Sequence, residues 1–410
     1  MRILWYHPHP AAGVNLSAQN VAMAGHDVMF VCLQEYFGEQ VVRSSEGHKY
    51  SLVPILPHFS RAARQGPTNR LHTFVINVRR AIRRHRLAVW FDPDVIFVQT
   101  AWHYVDWFAF RRLSRIAPIV LQVHDIWPHQ MYLPAGIERH LLAWTYQACS
   151  SWLVYEDGLQ LRLEREFGTT EHRTTVAPFP LPTVPQGLPA VETTEANAVR
   201  LLFFGSIRPD KGIGLLLKAL EEAEQGDDFV YELRIIGRGD ADLEQQIVRF
   251  ASSRDWVKID LRRVSDDEKW IHLKWADLVV LPYTTEWSQS AVLFDAYAAG
   301  CPVLATTGTA PSRTVETHAA GFCVAPTPTA IAQGLSAIAR EPQRLVDASR
   351  QVAALRSAWT SEAQTKQMLA AFGVASGAAR NRPPVSHSTL RRFSSSMMRG
   401  SWRSRLWRRT

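Results

Sequence analysis

The feature that most constrains the fold is a rhythm of short apolar runs separated by helix-length segments, which occurs twice along the 410 residues. Short buried strands that alternate with helical segments are typical of βαβ units and parallel sheets. The first set of runs is Ile3–Tyr6, Val28–Cys32, Asp94–Val98, Ile119–Val123 and Ser151–Val154. The second set is Arg200–Phe204, Tyr231–Ile236, Val257–Leu261, Leu278–Leu281 and Pro302–Ala305. The pattern predicts an α/β chain with two Rossmann-like parallel-sheet domains of similar size.

Between the two sets lies Val176–Val191, a stretch rich in proline and polar residues that indicates an interdomain connection. We therefore predict a first domain over 1–180, a linker over 181–198 and a second domain over 199–355. A helix-like segment over 356–374 is expected to close the fold by returning to the first domain. The remainder, 375–410, has the small, polar and basic composition of a disordered tail.

The net charge of +8 belongs to that tail. Nine arginines and no acidic residue follow residue 376, and removing these nine from the 46 basic residues leaves 37 against 38 acidic ones. The folded domains are therefore nearly neutral, and we expect no nucleic-acid partner for them. The tail itself is open to three interpretations: attraction to anionic lipid, a disordered appendage, or a nucleic-acid-binding arm.

The cysteines and the N-terminus indicate a cytoplasmic protein. Cys32, Cys149, Cys301 and Cys323 are scattered in apolar contexts, without a CxxC pair or a histidine cluster that would complete a zinc pattern. We therefore expect buried thiols and no metal site. The chain opens directly on a strand-like run and contains no apolar run long enough to cross a membrane, so neither a signal peptide nor a transmembrane helix is expected.

One loop of the second domain carries two cations beside a predicted helix start. A buried strand ends at Gly205, the loop contains Arg208 and Lys211, and a helix begins near Gly214. A helix N-terminus presents unpaired N–H groups and the positive end of its dipole, so it favours an anion. Arginine grips phosphate bidentately and lysine acts as a point charge, which makes a diphosphate the natural ligand. The alternative is a solvated turn before a helix.

A second loop has a similar design. Strand Leu278–Leu281 leads through a polar loop into a helix from about Ser290, so backbone N–H groups of Ser290, Ala291 and Val292 are predicted to face an anion. Asp295 lies about one turn inside this helix among apolar neighbours, where a carboxylate is costly unless it accepts hydrogen bonds. Vicinal ribose hydroxyls would supply them. The alternative is an aspartate satisfied by neighbouring backbone.

These two stretches resemble the family-four retaining glycosyltransferases, which share the GT-B fold. Gly205 through Gly212 is similar to the family's strand, glycine and Lys-Gly loop. Asp295-Ala296, Gly300 and Pro302-Val303 are similar to the second half of its paired-glutamate motif, and Leu281-Pro-Tyr283 with Gln289-Ser290 resembles one subgroup. The resemblance is dense from about 200 to 325. Trp287 stands where the family's first glutamate is usual, and Asp295 replaces the second.

The resemblance implies a nucleotide diphosphate sugar, with UDP or GDP as the nucleotide, as co-substrate and neither a cofactor nor a metal. It implies catalytic roles for His124, Arg208 and Lys211, with the diphosphate held by Arg208, Lys211, Ser290, Ala291 and Val292. It places the ribose at Asp295, the base at Gly237 and Val264, and the donor sugar or acceptor at Gly13, His124 and Gln289. The sugar would pass with retained configuration to a glycan or lipid-linked acceptor on the first domain.

The first domain also contains an arginine-rich helical segment, 75–90, of the kind that can rest on an anionic bilayer. Contact with the inner face of the plasma membrane is one interpretation, and an ordinary solvated surface helix is the other. Two alternatives to a transferase stay open. One is a sugar-nucleotide 2-epimerase of the same architecture, and the other is a non-catalytic sugar-nucleotide-binding partner in a glycan-assembly complex.

Overall fold

A computed structural model describes residues 1–7, 12–32, 50–54, 67–99, 109–124, 126, 134–167, 173–177, 179–189, 198–226, 231–285 and 290–380. The chain divides into two compact units. The first contains Met1–Val123, Pro128–Ala177 and the chain from Thr365 onward, and the second contains His124–Trp127 and Pro178–Gln364.

The first unit is built around a seven-stranded parallel sheet in the order β3-β2-β1-β4-β5-β6-β7. Its strands are β1 Arg2–Tyr6, β2 Asp27–Cys32, β3 Tyr50–Pro54, β4 Val95–Val98, β5 Ile119–Gln122, β6 Ser151–Val154 and β7 Thr174–Val176. Its helices include α1 Ala12–Met23, α2 Pro67–Phe91, α3 Ala135–Gln147 and α4 Asp157–Phe167. Helices and loops connect successive strands, as parallel pairing requires.

The second unit contains a six-stranded parallel sheet in the order β10-β9-β8-β11-β12-β13. The strands are β8 Val199–Phe204, β9 Tyr231–Ile236, β10 Val257–Asp260, β11 Leu278–Leu281, β12 Val303–Thr306 and β13 Gly321–Val324. The helices are α5 Ile213–Ala223, α6 Ala241–Ala251, α7 Asp266–Trp275, α8 Ala291–Ala299, α9 Ala310–His318, α10 Pro328–Arg340 and α11 Pro342–Ala358. A helix α12, Ser361–Arg380, follows and passes into the first unit.

Apolar residues cover both faces of the second sheet because successive side chains of a strand point to opposite faces. Leu201 and Phe203 of β8 pack in a core with α5, α6 and α10, whereas Leu202 packs in another with α7, α8 and α11. In the first unit, Phe372 of α12 packs 5.2 Å from the ring of Phe97 in β4, between ring centroids. Each sheet is thus buried between helices, which explains its continuous apolar runs.

All ten predicted strands are present, but β3, β7 and β13 were missed. The segment 356–374, predicted as one helix, belongs to two helices. Helix α11 ends at Ala358, and α12 begins at Ser361 after a break at Trp359. Helix α12 extends to Arg380, so the first residues of the predicted tail are helical. The rest of that tail lies outside the described residues. Within the described ranges, no helix is both long and apolar enough to cross a membrane.

Candidate functional site

The strand order of the second sheet reverses beside β8: β9 and β10 lie on one side of it, and β11, β12 and β13 lie on the other. At such a switch point the loops that follow the two central strands lead away in opposite directions and leave a crevice at the carboxyl ends. The loop after β8 runs to Gly212, and the loop after β11 runs to Ser290. These are the two loops that the sequence predicts to bind a diphosphate.

The two loops are joined to each other. The backbone N–H of Thr284 donates to the carbonyl of Asp210 at 3.0 Å. Gly212 adopts a left-handed φ of +67°, and a Cβ atom there would lie 1.7 Å from the carbonyl oxygen of Pro282. Only glycine accepts both conditions. The backbone contacts therefore fix the loops as one surface.

The cations of the first loop have partners of two kinds. The Arg208 guanidinium forms a bidentate pair with Asp210, through Nε to Oδ1 at 3.0 Å and Nη2 to Oδ2 at 2.7 Å. The Arg208 side chain is nevertheless 46% exposed. The Lys211 ammonium lies over the ring of Tyr283, 3.8 Å from its centroid. Asp210 offsets part of the positive charge of this loop, and the two cations stay close to the crevice.

Two helices begin at this crevice without a side-chain cap. Helix α5 has Gly212 at its N-cap, and α8 has Ser290, whose side chain makes no capping hydrogen bond. An uncapped N-terminus offers N–H groups and a positive dipole end to an anion. The N–H groups predicted to bind the diphosphate, those of Ala291 and Val292, lie in the first turn of α8. The structure thus places them beside the loop that carries Arg208 and Lys211.

Asp295 lies in the second turn of α8, and its partner is a lysine from another helix. Lys269 Nζ of α7 is 3.3 Å from Asp295 Oδ1, and the two side chains are 19% and 15% exposed. Burial raises the pKa of the Asp295 carboxyl above its ordinary value, and the Lys269 ammonium opposes that rise. Lys269 therefore supplies the partner that the sequence analysis sought in a ribose or in the neighbouring backbone, and the contact of Asp295 with a ribose stays a prediction.

The residues predicted to frame the base have structural surroundings of their own. Gly237 follows β9 with a φ of +149°, and a Cβ atom there would lie 1.8 Å from the carbonyl oxygen of Gly205. Val264 is half-buried and packs against the core beneath α7 and α8. Gly237 follows β9 and Val264 follows β10, so both lie in loops at the carboxyl end of the same sheet. The loop that contains Gly237 lies next to the loop that follows β8. Their contact with a base stays a prediction.

Three predicted site residues, His124, Gly13 and Gln289, are not tested by these contacts. His124 is half-buried two residues after β5 of the other sheet, and Gly13 lies in the first turn of α1. Gln289 is outside the described residues, as are Glu286 and Trp287. The roles of His124, Gly13 and Gln289 therefore stay predictions. In the part of the chain that is described, no three His, Cys, Asp or Glu side chains are grouped to hold a metal ion.

Sequence reasoning missed three residues of the site: Asp210, Lys269 and Tyr283. Asp210 could have been predicted from the sequence, because an acid between two cations in a short loop is placed to pair with one of them. The pairing of Lys269 with Asp295 had no signal, because 26 residues separate them. Tyr283 contacts Lys211 and Ser290, which come from different loops, so its importance emerges only in three dimensions.

Two parallel-sheet α/β units, one of them with two uncapped helix N-termini at its switch point, define a fold of the GT-B architecture. Solved structures agree on this fold. The chain is similar to HepE of Anabaena, solved with UDP-glucose, at 16% identity and a TM-score of 0.63, with 91% of this chain and 99% of that chain covered. It is similar to the sucrose-phosphate synthase of Thermosynechococcus elongatus at 15% identity and a TM-score of 0.66, with 91% of this chain and 98% of that chain covered. It is also similar to WaaG, a glycosyltransferase involved in lipopolysaccharide biosynthesis, at 15% identity and a TM-score of 0.58, with 91% of this chain and 99% of that chain covered.

Family models match both halves of the sequence. The model described as glycosyl transferases group 1 matches residues 198–341, and the model described as Glycosyltransferase Family 4 matches residues 14–183. The chain therefore belongs to the family-four type of GT-B glycosyltransferases. No curated protein sequence matches it.

Proposed function

We propose that this protein is a retaining hexosyltransferase that transfers a sugar from a nucleotide diphosphate sugar to a glycan or lipid-linked acceptor. The observation that carries the proposal is the pair of uncapped helix N-termini at one switch point, beside Arg208 and Lys211. HepE, which has a similar fold, was solved with UDP and with UDP-glucose. In the proposal the second unit binds the donor, with Asp295 on the ribose, and the first unit binds the acceptor.

The proposed chemistry follows from charge stabilisation. The bond from the anomeric carbon to the diphosphate oxygen breaks, and the acceptor hydroxyl oxygen bonds to that carbon on the same face. The acceptor proton passes to an oxygen of the departing phosphate. Lys211, Arg208 and the N–H groups at the start of α8 stabilise the negative charge that develops on this group, by the logic of an oxyanion site. His124 is proposed to hydrogen-bond the donor sugar or the acceptor. Because fixed cations supply this charge, the proposal includes no metal.

We also propose that the protein works in the cytoplasm, against the inner face of the plasma membrane. Two of the arginines of α2, Arg80 and Arg84, are buried. Its outward stripe combines exposed Arg79 and Arg86 with exposed apolar residues, of which Trp90 is 63% exposed. Aromatic and basic residues together favour an anionic lipid surface. Co-sedimentation with vesicles of anionic rather than zwitterionic lipid tests this part.

A thermal-shift screen with UDP, GDP, ADP and TDP sugars tests the donor. A ligand that binds only the native state raises the unfolding midpoint by mass action, so the correct nucleotide should give the largest rise. NMR of the sugar, with and without a crude lipid or glycan acceptor fraction, then tests the reaction. Sugar transferred with retained anomeric configuration is the expected result.

The same experiment separates the alternatives. An epimer formed without any acceptor would show a sugar-nucleotide 2-epimerase. A nucleotide sugar that is bound but neither transferred nor epimerised would favour a non-catalytic partner in glycan assembly. If none of the four nucleotide sugars shifts the midpoint, the proposed donor site is wrong.

A further inference from the structure

We infer that Tyr283 is a positioning residue that keeps the N-terminus of α8 open for the donor diphosphate. It does so by holding the hydroxyl of Ser290 away from the helix that Ser290 begins. This inference rests on the proposed function and deepens it, because it identifies what makes the phosphate end of the site available. Tyr283 itself need not touch the donor.

The evidence begins with a contrast among helices that follow strands in the second unit. Those after β9, β10, β12 and β13 begin at Asp240, Ser265, Thr309 and Thr327, and each of these side chains accepts a hydrogen bond from its own first turn. The helices after β8 and β11 lack such a cap. Among these six helices, the two without a cap are the two at the switch point, where an anion is proposed to bind.

Gly212 explains the first uncapped helix, because it has no side chain to cap with. Ser290 requires another explanation, since serine is among the best N-cap residues and Ser265 caps α7 in the same unit. The Ser290 Oγ atom is instead 2.7 Å from the Tyr283 hydroxyl, in a hydrogen bond that either group can donate. Both residues are buried, with 3% exposure each. The tyrosine therefore diverts the hydroxyl that would otherwise occupy the first-turn N–H groups.

Tyr283 is held firmly enough to do this. Its carbonyl accepts a hydrogen bond from the Thr306 hydroxyl, and the Lys211 ammonium covers its ring. Burial raises the pKa of Tyr283 to about 12, so the phenol stays protonated at neutral pH. The Tyr283 side chain thus contacts Lys211 of one loop and, through Ser290, leaves the N-terminus of α8 in the other loop uncapped. The Tyr283→Phe substitution separates these roles, because it keeps the ring and removes only the hydroxyl.

A double-mutant cycle tests the inference, with the nucleoside diphosphate among UDP, GDP, ADP and TDP that the wild type binds most tightly. Isothermal titration calorimetry compares wild type, Tyr283→Phe, Ser290→Ala and the double variant. In the Ser290 background Tyr283→Phe should weaken binding about fivefold, because the freed serine caps α8 and competes with the phosphate for its N–H groups. In the Ser290→Ala background the same change should cost less than about twofold.

Tyr297→Phe is the matched control. Tyr297 is a buried tyrosine of helix α8, but its hydroxyl makes no hydrogen bond to any residue that the structure describes, so its removal should leave binding unchanged. An equal loss from Tyr283→Phe in both backgrounds would show a merely structural role and overturn the inference, as would no loss in either. A wild type that binds none of the four nucleotides contradicts the proposed function and, with it, this inference. A wild type that binds while the cycle is additive contradicts this inference alone.

Discussion

Both sheets reverse their strand order beside their first strand, between β1 and β4 in the first unit and between β8 and β11 in the second. The strand ends at these two places carry different chemistry. In the first unit the Trp5 indole donates to Gln99, and Gln99 donates to Gln122, at 2.7 and 2.8 Å, in a buried and uncharged chain across three strands. In the second unit the corresponding place has Arg208, Lys211 and two open helix ends.

The difference teaches that the topology supplies a crevice, whereas the loops decide what it can bind. The described chain of Trp5, Gln99 and Gln122 in the first unit is neutral, although the buried Arg84 guanidinium lies 4.3 Å from the centroid of the Tyr6 ring at the end of β1. In the second unit, cations and helix dipoles can act on a charged ligand without reorganisation. The proposal accordingly places the nucleotide diphosphate in the second unit, and the following predictions test that division.

The largest effect is expected from Lys211→Ala, which should lower nucleoside diphosphate affinity about 10- to 100-fold because it removes a charge-assisted contact to phosphate. Calorimetric titration measures this. Gln99→Leu, in the first unit, should leave nucleotide affinity within about twofold, although it removes the hydrogen-bond partners of Trp5 and Gln122 and so lowers stability. An equal loss of affinity in Lys211→Ala and Gln99→Leu would contradict the proposal that the diphosphate binds the second unit.

An effect of about tenfold is expected from Asp295→Ala, because a hydrogen bond from the ribose to a carboxylate is at stake. The loss should appear with the nucleoside diphosphate that the protein binds most tightly and not with its 2′,3′-dideoxy form, which has the same phosphates but no vicinal hydroxyls. Competition titrations with the two nucleotides measure the ratio. If the variant weakens both nucleotides equally, Asp295 acts on the shape of α8 and not on the ribose.

Asp210→Asn should strengthen nucleoside diphosphate binding about threefold. The carboxylate pairs with Arg208 and repels a phosphate, and its Coulomb effect a few ångströms away in water is modest. High salt should reduce the gain, since exposed charges are screened. Weaker binding by the variant would instead mean that Asp210 is needed to orient Arg208.

The smallest effect concerns acid stability at the start of α7. The Arg262 guanidinium and hydrogen bonds from Ser265 lower the pKa of Glu268 to about 2, below its ordinary 4.5. A lowered pKa stabilises the folded state above pH 4.5, and that contribution disappears as the pH falls toward 2. Glu268→Gln should therefore lower the unfolding midpoint by about a degree at pH 6 and by less at pH 2. Glu221→Gln, on an exposed part of α5, is the control.

The sequence indicates the central strands well and the edge strands poorly, for a physical reason. Nine of the ten predicted strands lie inside the two sheets, where burial on both faces demands apolar residues, and only β10 (Val257–Asp260) lies at an edge. The missed strands β3, β7 and β13 are all at sheet edges, and β7 and β13 are only half-buried. An edge strand needs fewer apolar residues, so Thr174–Val176 carries almost no signal.

The candidate site also has residues that the sequence predicts and residues that it does not predict. Arg208, Lys211 and the helix start at Ser290 are visible because charge and turn chemistry are local properties of a loop. The Lys269–Asp295 pair and the Tyr283–Ser290 bond depend on how separate segments meet, which no local pattern encodes. The sequence therefore indicates which ligand group to expect, and the fold shows what holds the site ready for it.

The most direct test of the account is a crystal structure of the protein with the nucleoside diphosphate that it binds most tightly. The account predicts phosphate oxygens within hydrogen-bond distance of the backbone N–H groups of Ala291 and Val292, with Lys211 Nζ on the same phosphate. It also predicts the ribose at Asp295. A diphosphate bound elsewhere, or at the strand ends of the first unit, would contradict it.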